Sequence, residues 1–264
     1  MNSWETNVNN MKKTRTSLLL TAFILAISVL VAGCFASSEE KMRRKAIPFY
    51  REALDYFYDG QFPIAKDKVL LAMKQYPQFV EAHILYQRIL AHDKMTKELL
   101  KEYHKLMKDH PGNPIYIYLY ARLLDDLDEQ ERLYKRILDI DKDCPWGYFG
   151  LGWVSYKRMD YATAAENFQK AVQLDPKNPL FHLNLGAVYY LMGHSHDATD
   201  EILKATELDP KFANAWYSLA ATYYQRAEFD KAAEALRKYI NIYPAAPDRR
   251  KVEKTIMQLS GGKL

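Results

Sequence analysis

Residues 213–244, ANAWYSLAATYYQRAEFDKAAEALRKYINIYP, set Trp216, Leu219, Ala220 and Tyr223 on one helical face, pause at Ala227, and resume with Phe229, Ala232, Leu236 and Tyr239 before Pro244. Apolar residues at such three- and four-residue intervals predict two amphipathic helices joined by a short turn. Thirty-four residues upstream the same offsets carry His182, Leu185, Gly186, Tyr189, Gly193, Ala198, Ile202, Ala205 and Pro210. Another thirty-four back stand Tyr148, Leu151, Gly152, Tyr161, Ala164, Phe168, Ala171 and Pro176. A helix pair of this size cannot bury its apolar face alone, so a fixed period predicts stacked units with one continuous core.

The register assigns roles. Gly152, Gly186 and Ala220 fall where two helices must come close, and Ala164, Ala198 and Ala232 face them from the second helix. These positions read as framework, because close packing leaves no room there for a larger group. Weaker copies continue toward the N-terminus. One holds Tyr56, Gly60, Phe62, Ala65, Ala72 and Pro77, with Pro63 in the first turn of its second helix. The next has Gln87 where a small residue is expected and Leu99 and Leu106 in place of alanines, which predicts a looser pair. A third begins near Pro114, with a turn around Asp126 to Glu129 and a second helix over 130–140 that arrives three residues early. The expected units are therefore 46–79, 80–113, 114–144, 145–178, 179–212 and 213–246, followed by an amphipathic capping helix within 247–264.

The three C-terminal copies resemble the tetratricopeptide pattern W-x-x-L-G-x-x-Y, then A-x-x-x-F, then P. That resemblance covers residues 46 to 246 and implies an all-α, right-handed α-solenoid of about six helix-turn-helix repeats. It also implies a concave groove lined by the second, fifth, ninth, twelfth and thirteenth positions of each first helix. On this chain those positions include Tyr50, Phe57 and Tyr58, then Arg88 and His92, then Tyr118, Arg122, Asp125 and Asp126. They continue through Trp146, Phe149, Trp153, Tyr156 and Lys157 to Leu183, Tyr190, Asn214, Tyr217 and Tyr224. The lysines and asparagines with which some family members clamp a terminal carboxylate are mostly replaced here by aromatic residues or alanine. Tyrosine at these positions is common in such repeats, whereas Trp146, Phe149 and Trp153 in one unit exceed that background. Large aromatics anchor interfaces with few rotors to fix, so a bound partner at that patch stands against packing by a neighbouring segment.

Ahead of the repeats, Lys12, Lys13 and Arg15 precede an apolar run from Leu18 to Val31 that ends Leu30-Val31-Ala32-Gly33-Cys34. A basic start, a short apolar core and small residues before a cut describe a secretory signal. The cysteine after Ala-Gly resembles a bacterial lipobox, which implies removal of residues 1–33 and lipidation of Cys34. Residues 34–45 then read as a short tether, and Phe35 in the position after the cysteine favours the periplasmic face of an outer membrane in a Gram-negative source.

Setting aside the first 33 residues removes three basic residues and one acidic residue, leaving 34 and 32, a balance that argues against a nucleic-acid partner. With Cys34 lipidated, Cys144 has no partner for an intrachain disulfide and reads as a buried thiol. Asp139, Asp141 and Asp143 open like a calcium loop, but Cys144 and Gly150 stand where that loop needs glycine and glutamate. His194 and His196 on an interhelix turn are too few for a stable zinc site. No catalytic motif, cofactor site or metal site is expected. The sequence thus points to a membrane-anchored adaptor that holds a protein or extended peptide during assembly of a cell-envelope complex. The alternative is a lipoprotein that stacks Trp146, Trp153 and Tyr156 on cell-wall sugars.

Overall fold

A computed structural model describes residues 38–92 and 95–261, so the signal block and Cys34 lie outside the described residues. The described residues form only helices, paired in chain order. α1 (38–58) lies against α2 (Phe62–Gln75), α3 (Val80–His92) precedes α4 (Thr96–Asp109), and α5 (Pro114–Ala121) precedes α6 (Leu127–Ile140). Three closely alike pairs follow: α7 (Pro145–Lys157) with α8 (Tyr161–Leu174), α9 (Pro179–Leu191) with α10 (Ser195–Leu208), and α11 (Ala213–Gln225) with α12 (Phe229–Ile242). α13 (Arg249–Leu259) closes the array by burying Val252 and Ile256 against α12.

Local chemistry sets the boundaries. Proline stands in the first turn of α5, α7 and α9, where its missing N–H costs nothing. The side chains of Asn113, Asp160 and Asn178 accept backbone N–H bonds that start α5, α8 and α9. Gly60 and Gly193 turn between paired helices with φ of +76° and +80°, and Met159 and Ala227 adopt the same left-handed conformation at the equivalent turns of their own repeats.

Packing follows the register. A Cβ on Gly152 would lie 2.7 Å from Cδ1 of Phe168, and one on Gly186 would lie 2.6 Å from Cγ1 of Ile202 and 3.0 Å from the Ala198 carbonyl oxygen. The fourth residue of the first helix ties repeats together. His83, His182 and Trp216 each donate a ring N–H to a proline carbonyl six residues back, Pro77, Pro176 and Pro210, at 2.8, 3.0 and 2.9 Å. α3 and α4 approach each other far less than α7 and α8 do, consistent with Leu99 and Leu106 standing where α8 and α10 have alanine.

Two expectations change. The second helix of the third repeat does arrive three residues early, 13 residues after the first helix starts against 16 in the fourth repeat, but it starts at 127 rather than 130. Asp126 accepts bonds from the N–H groups of Asp128 and Glu129, so α6 begins at Leu127 and keeps 14 residues. The deficit falls instead on α5, which has 8 residues against 13 in α7. The expected tether is also partly structured, since 38–45 continues α1.

The array curves until its N-terminal repeats meet its C-terminal ones. Ala245 donates its N–H to the Tyr58 carbonyl at 3.1 Å, Lys211 pairs with Asp55 at 2.8 Å, and the Asn178 amide reaches Glu81 at 3.4 Å. Tyr58 and Tyr243 pack with ring centroids 5.0 Å apart.

Candidate partner-binding chamber

Closure of the arc converts the inner face from an open trough into a chamber of about 450 Å³. Every first helix contributes to its wall: Tyr50 and Tyr58 from α1, Arg88 from α3, Tyr118 from α5, Trp153 from α7, Leu183 from α9 and Asn214 from α11. Volumes of this order suit a small ligand or a few residues of a chain end or loop.

Arg122 is fixed before any partner arrives. Its guanidinium donates to the Gln87 side-chain oxygen, while the Gln87 amide donates to the Leu119 carbonyl at 3.0 Å. Gln87, the residue that breaks the small-residue pattern, is thus a buried strut between α3 and α5. Arg88 stacks over Phe57, 4.7 Å from the ring centroid, and meets no carboxylate among the described residues. Glu81 is held by Arg43 at 3.2 Å. Burial raises the pKa of Glu81 against the opposing pull of Arg43, and burial raises that of Asp209 against the Lys211 backbone N–H. Burial also pushes the Tyr58 and Tyr118 hydroxyls up to about 12, so both remain neutral donors at physiological pH. Burial is the common cause of these shifts, while Arg88 itself stays exposed to solvent.

The residues expected to form one groove divide into three groups. Tyr118, Arg122, Phe149, Trp153 and Asn214 line the chamber. Tyr190, Tyr217 and Tyr224 line a separate, more open depression against α13, with Tyr217 and Tyr224 43% and 58% exposed. Trp146 is a correction: only 7% exposed, it packs between Tyr118 and Phe181 with both centroid distances 4.8 Å, so its role is internal packing. Phe149 is equally buried and shows the chamber one part of its ring. Tyr156 lies outside both depressions and stacks on Trp153 at 5.3 Å, and Lys157 sits 4.9 Å from the Trp153 ring.

Some wall residues escaped sequence reasoning. Glu81 and Ile84 occupy the second and fifth positions of their repeat, so the register could have supplied them. Asn178 and Asp209 precede first helices and reach the chamber only because the arc closes. Cys144 is buried, and burial raises its thiol pKa.

Two family profiles match the chain, one described as TPR repeat over residues 154–193 and one as tetratricopeptide repeat over residues 201–234. Residues 154–193 and 201–234 carry tetratricopeptide repeats. The mitochondrial import receptor subunits TOM70 of Rattus norvegicus and Homo sapiens are each 25% identical to it over 134 residues, 49% of this chain. The chain spans 22% of the length of either relative. Among solved structures, the APC/C hetero-tetramer Cut9-Hcn1 superposes with a TM-score of 0.57 at 18% identity, covering 81% of this chain and 43% of that one. This likeness is one of fold: a solenoid of helical repeats.

Proposed function

We propose that this protein is an adaptor, anchored through a lipidated Cys34 in a bacterial cell envelope, that holds a segment of a protein partner in its inner chamber and assists assembly of an envelope complex. The observation that carries the reading is the chamber itself, where first helices from all six repeats converge on aromatic walls, a braced Arg122 and an Arg88 that meets no carboxylate among the described residues. Large aromatics and arginine are the residue types that dominate binding energy at protein interfaces. The partial relative whose name describes an import receptor supports a protein partner over other ligands.

The chamber's size favours a chain end or a projecting loop over a long extended strand. Stacking of Trp153 on Tyr156 leaves fewer free aromatic faces for a sugar, which weighs against the glycan reading.

A photoreactive phenylalanine analogue at Trp153, compared with one at the outward-facing Lys170, tests the site in cells. Cross-linked protein partners should appear at residue 153 and be lost with Arg88→Glu. Equal partner sets at both positions would refute the chamber. Saturable tryptophan quenching by peptidoglycan fragments would instead favour the glycan alternative. For the anchor, Cys34→Ser should release the protein from the membrane fraction; unchanged fractionation would refute lipidation.

A further inference from the structure

The outer face of the first repeat departs from all five others at matching positions. The six second helices align residue for residue over their 14 positions. At the tenth, five of them carry a cation: Lys105, Arg136, Lys170, Lys204 and Lys238. At the third, the same five carry Glu98, Glu129, Thr163, Asp197 and Lys231. In α2 these positions are Ile64 and Leu71, 41% and 40% exposed, joined by Leu70 at 39%. Residues 64, 67, 71 and 74 recur at helical spacing, so Ile64 and Leu71 form one outward stripe that ends at Lys74.

Cations flank the stripe. Tyr76 is hydrogen-bonded to Glu39 and Lys68 is paired with Glu52, which sets the start of α1 beside the end of α2. Lys41, Lys45 and Lys74 are exposed there, and among the described residues none of the three is ion-paired. Asp67 is the one carboxylate on the stripe itself. Only three residues lie between Cys34 and Ser38, the first described residue of α1, and four residue steps reach at most roughly 14 Å.

We propose that this face of α1 and α2 rests on an anionic lipid surface, with Ile64, Leu70 and Leu71 in the headgroup layer and Lys41, Lys45 and Lys74 paired with lipid phosphates. The inference rests on the anchor at Cys34. Acyl chains at Cys34 tether the protein without orienting it, and apolar area with basic residues supplies the further attraction that lays one face against the bilayer. The exchange of lysine for leucine at the tenth position in this repeat alone fits the unit nearest the anchor, because every other repeat must keep its outer face wetted. Docking through α2 turns the convex side of the first repeat toward the bilayer and so orients the whole array.

The test uses the full acylated chain in phosphatidylcholine vesicles with and without phosphatidylglycerol. An environment-sensitive fluorophore is placed at Leu71→Cys, or at Lys204→Cys as the equivalent control in the fifth repeat; buried Cys144 stays unlabelled. Brominated lipid chains should quench the label at 71 in the anionic vesicles and leave the one at 204 bright. Lys74→Gln should lower the docked-to-undocked ratio about fivefold, the equivalent of one surface lysine. Asp67→Asn should raise it. Equal quenching at 71 and 204, or quenching indifferent to phosphatidylglycerol, overturns the proposal. So does burial of the label that tracks protein concentration, which would mean a second copy covers the face. Mass spectrometry of the same sample reads Cys34: an unacylated protein refutes the anchor and with it this inference, whereas an acylated protein with an unquenched label refutes the docking face alone.

Discussion

Gly150→Ala should destabilise the protein even though it replaces glycine by alanine inside a helix. An ideal Cβ at 150 would lie 2.4 to 2.5 Å from Cδ1, Cε1 and Cγ of Tyr134. Carbon atoms pack best at about 3.5–4.0 Å, so the ring must retreat by more than about 1 Å. It has little room to do so, being 1% exposed with the Tyr118 ring 6.0 Å away. Overpacking of this kind costs about 1–3 kcal/mol, and contact this short belongs at the upper end. The helical preference for alanine returns about 1 kcal/mol, leaving a net loss of about 2 kcal/mol. Urea unfolding followed by far-ultraviolet circular dichroism reads that loss as a lower midpoint at unchanged slope. Tyr134→Leu removes the ring, so in that background Gly150→Ala should turn favourable by up to about 1 kcal/mol. An equal loss in both backgrounds, or a more stable single variant, would refute the close approach of α6 and α7.

Further outcomes follow from the two buried histidines, the seam and the turns. The Pro77 carbonyl requires a proton on Nε2 of His83, leaving Nδ1 to accept from Tyr103 at 2.8 Å, and burial lowers its pKa from 6.5 to about 4. The unfolded chain takes up a proton at 6.5 while the fold resists, so about 3 kcal/mol of stability disappears between pH 6.5 and 4. His83→Gln should flatten this limb of the stability curve; an unchanged acid slope would exclude His83 as its source. His182 has the opposite sign. Burial lowers its pKa, but Glu201 at 2.6 Å and the Pro176 carbonyl outweigh burial and raise it. Its contribution is complete below 6.5 and is lost as pH rises through the folded value, a loss that His182→Gln should abolish. At the seam, a zero-length carbodiimide should join Lys211 to Asp55, detected as one cross-linked peptide; its absence would mean the arc is open in solution. Ala227→Gly should stabilise the chain by about 1 kcal/mol, because alanine pays a steric cost at φ 57° that glycine does not; a lower thermal midpoint would count against that turn.

The chamber was only partly legible in the sequence. Phe149 and Trp153 share the register of lining residues with Trp146, yet Trp146 turns onto Tyr118 and Phe181. Helical periodicity gives the direction of a side chain to within a face, and at the border between groove and core the neighbouring repeat decides which side it takes. Tyr217 and Tyr224 likewise belong to the inner face by register, but they line a separate, more open depression against α13.

By itself the sequence determined the repeat, the pairing of helices and the framework residues, because a recurrent small residue opposite a large one has a single packing solution. The match of Gly186 to Ile202 and of Gly152 to Phe168 is local, between helices joined by a short turn. Only the tertiary structure decided the curvature. Curvature accumulates over every stacked unit, and the sum of those small turns brings Asp55 to Lys211 and Tyr58 to Ala245. Contacts between residues more than 150 positions apart leave no periodic trace in the chain, and those contacts turn an open groove into a chamber.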